Sequence, residues 1–168
     1  MGYTHNTHMS KIIPCTEMMP ITGTWTEVAG QVAGTICKHK AAAAETAIVY
    51  IPITIPSNSV ALQGSKLLSV EIDYEVLVAA CTSVTAALTK VTRGADGSDA
   101  VVAAVTGTQD LTAATDAADV DEHKLTFTVT TPAFIDNDEY YILTLTCVAA
   151  ATTQLDILAA VANYTARM

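Results

Sequence analysis

The chain has 168 residues, a formal net charge of −9 from 17 acidic and 8 basic groups, and an apolar fraction of 51% with only 5% aromatic. That length suits one domain. The negative balance argues against nucleic-acid binding, which needs a cationic footprint, and no apolar run reaches the length of a membrane span. With 28 alanines and 26 threonines, the core must be built from Ala, Val, Leu and Ile. Such residues bury less area each than rings do, so self-association that buries further surface is expected.

Residues 1–20 hold Pro14 and Pro20, little periodicity, and Met9, Met18 and Met19. They read as an extended N-terminal arm, with residues 21–168 forming the folded domain. Ile12, Ile13, Met18 and Met19 are the arm's candidates for contact with a partner, Met being adaptable in apolar contacts. The first ten residues, MGYTHNTHMS, are polar and carry no secretory apolar segment. Synthesis in a cytoplasm is expected.

Strands follow. Residues 22–28 alternate Thr22, Thr24 and Thr26 against Gly23, Trp25 and Glu27. A strand over 35–40 contains Lys38-His39-Lys40, the one basic cluster, expected at a solvated strand end or loop. Residues 46–55 place Ala47, Val49, Ile51, Ile53 and Ile55 on one face. Pro52 within them cannot donate to a ladder, so an edge strand or a bulge is expected. The clearest strand is 68–78: Val70, Ile72, Tyr74, Val76 and Val78 alternate with Ser69, Glu71, Asp73 and Glu75. One face is then apolar and the other acidic.

A strand over 84–92 leads to the turn Gly94-Ala95-Asp96-Gly97-Ser98-Asp99, in which Asp-Gly is a favoured hairpin dipeptide. Residues 100–105 return as a strand. Residues 107–121 read as a long surface loop, with a short helix over 113–118 as the alternative. Residues 124–130 alternate Leu125, Phe127 and Val129 with threonines. A turn at 136–139 precedes the strand 140–148, and a last strand pair or long bent strand occupies 153–166. There Leu155, Ile157, Ala159 and Val161 share a face. Eight or nine strands with short turns predict an all-β fold, an antiparallel two-sheet β-sandwich of jelly-roll type.

Chemistry-bearing patterns are sparse. Asp136, Asn137, Asp138 and Glu139 are the best metal candidate, because carboxylates and an amide oxygen on a turn suit calcium. Their spacing is not that of an EF-hand, and Asp and Asn are ordinary turn residues. His5, His8, His39 and His123 have no local pair to seed a zinc site. There is no Gly-x-Ser-x-Gly elbow, no phosphate loop and no dinucleotide fingerprint, so no enzyme activity and no cofactor is expected. Cys15, Cys37, Cys81 and Cys147 form no CxxC pair; they read as reduced thiols, with Cys147 packing as a small hydrophobe. Trp25 and the tyrosines are expected to pack in strands rather than line a sugar platform.

The strand grammar of residues 68–97, the run TPAFIDNDEYYILTL from Thr131 and the closing AAVANYTAR from Ala159 resemble small β-sandwich or jelly-roll proteins on the virion surface of tailed bacteriophages. The resemblance covers about a third of the chain and carries no active-site residues. It implies a capsid decoration or cement protein on the capsid surface. Such a protein would bridge major capsid subunits as an oligomer, with a trimer favoured. The alternative it implies is a fibre or receptor-binding domain whose loops, such as 94–99 and 107–121, contact a host glycan or surface protein.

Overall fold

A computed structural model describes residues 5–30, 32–57, 64–111 and 118–167. These form twelve strands: β1 (Asn6–Pro14), β2 (Met19–Thr22), β3 (Trp25–Ala29), β4 (Ile36–Lys40), β5 (Thr46–Ile53), β6 (Ser65–Leu77), β7 (Ser83–Thr92), β8 (Val101–Val105), β9 (Gly107–Gln109), β10 (Glu122–Val129), β11 (Glu139–Val148) and β12 (Gln154–Arg167). One sheet runs β3-β4-β12-β6-β10-β9 with β1 also on β12; the other runs β2-β5-β11-β7-β8. Every pairing is antiparallel.

The eight strands β4, β5, β6, β7, β8, β10, β11 and β12, numbered one to eight, fall in the orders one-eight-three-six and two-seven-four-five. That is the jelly roll, two Greek keys folded into a sandwich. The core lies between the sheets. Val70, Ile72, Tyr74 and Val76 of β6 and Leu125 and Phe127 of β10 face Val49, Ile51 and Ile53 of β5, Leu143 and Leu145 of β11 and Leu88 of β7; all are buried. Period-two patterning places them there, because a one-residue slip would turn each of these side chains to solvent.

The N-terminal segment is not a free arm. Residues 6–14 pair with residues 159–167 of the same chain, and Ile13, Cys15 and Met18 are buried in the core. The polar stretch lacked apolar alternation because β1 lies on the edge, with Ile13 its one fully buried side chain. The expected strand over 22–28 is two strands in different sheets. Gly23, at φ 95°, turns the chain from one sheet to the other. A Cβ there would come within 2.9 Å of Ala47 Cβ, so glycine meets both the angle and the space.

Lys38-His39-Lys40 is not a solvated end. It forms most of β4, with Lys38 and Lys40 buried. Lys40 Nζ donates to Ala41 O at 2.7 Å and Ala43 O at 3.1 Å and sits 3.4 Å from Glu45; Lys38 Nζ bonds Glu27 at 2.6 Å. Burial is tolerated because each ammonium has its acceptors. Pro52 sits in β5 between β2 and β11, but β2 reaches only Tyr50. At Pro52 the strand has a ladder partner on one side alone, as the missing N–H requires.

The 94–99 turn closes the β7–β8 hairpin, with Asp96 and Gly97 both at positive φ. Within the expected loop 107–121, β9 pairs with β10; the alternative helix over 113–118 lies largely outside the described residues. β12 is a single long strand with a register shift between Ile157 and Ala159. The shift corrects the expected face: Leu155 and Ile157 point inward, but Ala160, Ala162 and Tyr164 follow them, while Ala159 and Val161 are only half-buried.

Candidate functional site

The bulge in β12 builds the most defined surface feature. On the side of β12 away from β6, β4 pairs with Leu155, Asp156 and Ile157, and β1 takes over at Ala159. The extra residue, Leu158, falls at the seam between them and stands partly exposed. A bulge leaves one residue unpaired and bends the strand. Beside it opens a cavity of about 450 Å³ lined by Val32, Thr35, Ile36, Glu75, Glu122, Asp156, Leu158 and Ala159. Its lining combines the apolar side chains of Val32, Ile36 and Leu158 with the carboxylates of Glu75, Glu122 and Asp156.

These carboxylates continue the acidic face expected of β6. Cross-strand register sets Glu75 beside Asp156 and Glu122, Asp73 beside Ala159 and Lys124, and Glu71 beside Val161 and Thr126. Most of these charges are answered. Lys124 Nζ reaches Glu71 at 3.1 Å and Asp73 at 3.9 Å. Asn163 donates to Glu71 at 2.7 Å and to Ser69 at 3.2 Å, and accepts from Ser10 of β1 at 2.7 Å.

Asp156, His39 and Cys37 meet at one end of this face, a set that resembles nucleophilic machinery. His39 Nδ1 donates to Asp156 Oδ1 at 2.5 Å, and the Cys37 thiol also hydrogen-bonds the carboxylate. Burial, then the Asp156 charge and this bond, pushes the thiol up to about 12. A thiol so held is protonated near neutrality.

The calcium candidate folds as a closed turn. Glu139 N–H donates to Asp136 O at 3.2 Å, and Glu139 Oε2 accepts from the Asp136 amide at 3.1 Å. Its Oε1 bonds Lys90. Burial raises the Glu139 carboxyl, but the bonds from Lys90 and the Asp136 amide outweigh it and hold the group below its ordinary range. Asp136, Asn137 and Asp138 point to solvent. Among the described residues, no group of three or more His, Cys, Asp or Glu side chains could hold a metal ion.

The four arm candidates are split. Ile13 and Met18 belong to the core, whereas Ile12 is 68% and Met19 46% exposed. Among the described residues, Trp25, Tyr50, Tyr74, Tyr140, Tyr141 and Tyr164 lie in strands: Tyr74, Tyr141 and Tyr164 are buried, and Trp25 Nε1 donates to Thr22 O at 2.7 Å.

Sequence reasoning missed the apolar rim. Val28, Val32, Ile36 and Leu158 are exposed around the seam, Ile21 joins Met19 on the edge strand β2, and Val101 and Val102 are 65% and 63% exposed on the edge strand β8. It also missed Cys81 and Cys147, whose sulfurs lie 3.0 Å apart. Strand alternation marks which residues are apolar. It does not mark which strands end a sheet.

No protein-family model matches the chain, and no curated protein matches it. Two solved structures are similar in outline. One is the N-terminal endo-1,4-β-D-xylanase 10B of Clostridium thermocellum, its carbohydrate-binding and catalytic modules complexed with xylohexaose. The match has TM-score 0.45 and 10% identity, over 96% of this chain and 28% of that one. The other is the family 11 carbohydrate-binding module of Clostridium thermocellum with a β-1,3-1,4-mixed-linked tetrasaccharide: TM-score 0.37, 8% identity, over 95% and 87%. This chain thus spans little more than a quarter of the xylanase fragment, and neither likeness transfers a ligand.

Proposed function

We propose that the protein is a non-enzymatic structural protein of a tailed-bacteriophage virion, a decoration or cement protein that bridges major capsid subunits as an oligomer, with a trimer as the first expectation. The observation that supports this reading is the placement of exposed apolar side chains on sheet edges: Met19 and Ile21 on β2, Val28 on β3, Val101 and Val102 on β8. An edge strand offers unpaired backbone groups, and apolar residues there invite association. In a virion that association is the task. Many modest contacts repeated over a capsid add up through multivalency. The contact surface is the sandwich edge, with Ile12 and Met19 available to it and Ile13 and Met18 withdrawn into the core.

The test is light scattering followed by cosedimentation with mature capsids stripped of surface proteins. An oligomer that pellets with capsids is expected. The double variant Val101→Asp/Val102→Asp should keep the fold and lose either the oligomer or the attachment. A monomer that stays in the supernatant would sink the reading.

A second reading, a fibre or receptor-binding domain contacting a host glycan or surface protein, is favoured by the seam cavity. Its carboxylates Glu75, Glu122 and Asp156 offer acceptors to hydroxyl groups beside an apolar wall. Binding of the isolated protein to intact host cells, lost on Glu122→Ala, would select it.

A further inference from the structure

The β6–β7 connection brings Cys81 against Cys147 of β11. The sulfurs are 3.0 Å apart, and both residues are buried, Cys81 at 6% exposure and Cys147 at 1%. A disulfide needs about 2.05 Å, so closure asks for a movement of roughly 1 Å. The approach is held from several sides. Cys81 N–H donates to Ala118 O at 2.7 Å, Thr82 N–H to Val148 O at 2.7 Å, and Thr153 Oγ1 to Ala80 O at 2.9 Å. Val78, β-branched, enters this connection at φ 68°, a conformation that persists only when its surroundings fix it.

The geometry points to an intramolecular disulfide between Cys81 and Cys147, formed when a peroxide oxidises the pair. The inference is independent of the virion reading. The two thiols are unequal. The contact with Cys147, against the effect of burial, holds the Cys81 thiol below its ordinary value, with the Lys40 ammonium helping. The same contact and burial push Cys147 upward. Cys81 is also the more exposed of the two, so peroxide reaches it first.

Cys81 Sγ attacks one oxygen of hydrogen peroxide. The O–O bond breaks, and hydroxide leaves to become water. Cys147 Sγ then displaces the oxygen from the Cys81 sulfenic acid, whose S–O bond breaks. The oxygen departs as the second water, carrying the Cys147 proton. Two thiols and one peroxide give one disulfide and two waters. The product ties the connection leaving β6 of one sheet to β11 of the other, across a separation of 66 residues.

The test uses the full chain. It is treated with one equivalent of hydrogen peroxide, unfolded, alkylated and digested, and its peptides are mapped by mass spectrometry. The expected result is a cross-link between the peptides holding Cys81 and Cys147, with Cys15 and Cys37 alkylated. Closing a loop of this length should raise Tm by about 10 °C; dithiothreitol should reverse the gain, and Cys81→Ser should not show it. The Cys15→Ala/Cys37→Ala variant should still form the cross-link. Alkylation of all four thiols after oxidation, or a cross-link through Cys15 or Cys37, would overturn the proposal. The wild-type peptide map decides this even where a serine variant does not fold.

Discussion

The slab between the sheets and the flank at β4 are both buried, yet they are stabilised by different means. The slab is built mainly from apolar side chains, with Ile51, Ile72, Leu143 and Leu145 closed from solvent. Its burial follows from area removed from water and needs no partner in particular. The flank buries Lys38, Lys40 and Asp156, and each needs a named partner: Glu27, Glu45 and two carbonyls, and His39. The slab tolerates substitution in proportion to volume. The flank fails when one member of a pair is removed, because the other is left buried and uncompensated.

The largest test of this contrast removes residues 1–20. The strand β1 and the core residues Ile13, Cys15 and Met18 go with them. The truncated chain should lose its cooperative thermal transition and aggregate; a folded, soluble product would mean that β1 is dispensable, as a free arm would be. Next, Leu143→Ala in the slab should cost about 3–4 kcal/mol by chemical denaturation, since a buried leucine leaves a cavity. On the flank, Glu45→Gln should cost about 2 kcal/mol, less than a fully buried pair because Glu45 is partly exposed. If Glu45→Gln is neutral, Lys40 is satisfied by its carbonyls alone and the contrast weakens.

A smaller effect is expected at Glu139, whose carboxyl titrates lower in the folded chain than its ordinary value of 4.5. Its contribution is complete above that value and is lost as pH falls through the lowered folded one. Glu139→Gln should therefore cost about 1 kcal/mol at neutral pH, and the gap between variant and wild type should close in acid. Unfolding midpoints across the acid range measure this; a gap constant with pH would remove the ion pair with Lys90 as its cause. Smallest of all, Lys124→Ala on the open acidic face should leave the unfolding midpoint unchanged, because exposed pairs contribute little.

How far the sequence reached differs by element. The strand β6 was legible over residues 70–77, since a large apolar residue on one face and a carboxylate on the other leave a single register; Val78, expected on the apolar face, instead lies beyond the strand end at Leu77, at φ 68° and 69% exposed. The Asp96-Gly97 hairpin was legible because two consecutive positive φ angles need those residues. β12 was not, because its alanines are similar on either face and a bulge at Leu158 reversed the phase unseen. β1 was missed because an edge strand buries few side chains. The seam cavity depends on that same bulge, so the candidate site could not be read from the chain.

The sequence by itself determined an all-β sandwich, since period-two alternation with short turns leaves few other ways to bury one face of each strand. Only the tertiary structure decided the strand order, the burial of Lys38 and Lys40, the inclusion of residues 6–14 in a sheet and the meeting of Cys81 with Cys147. The physical reason is range. Alternation and turn chemistry act between neighbours in the chain, whereas an ion pair, a sheet edge or a thiol contact exists only once distant segments have packed together.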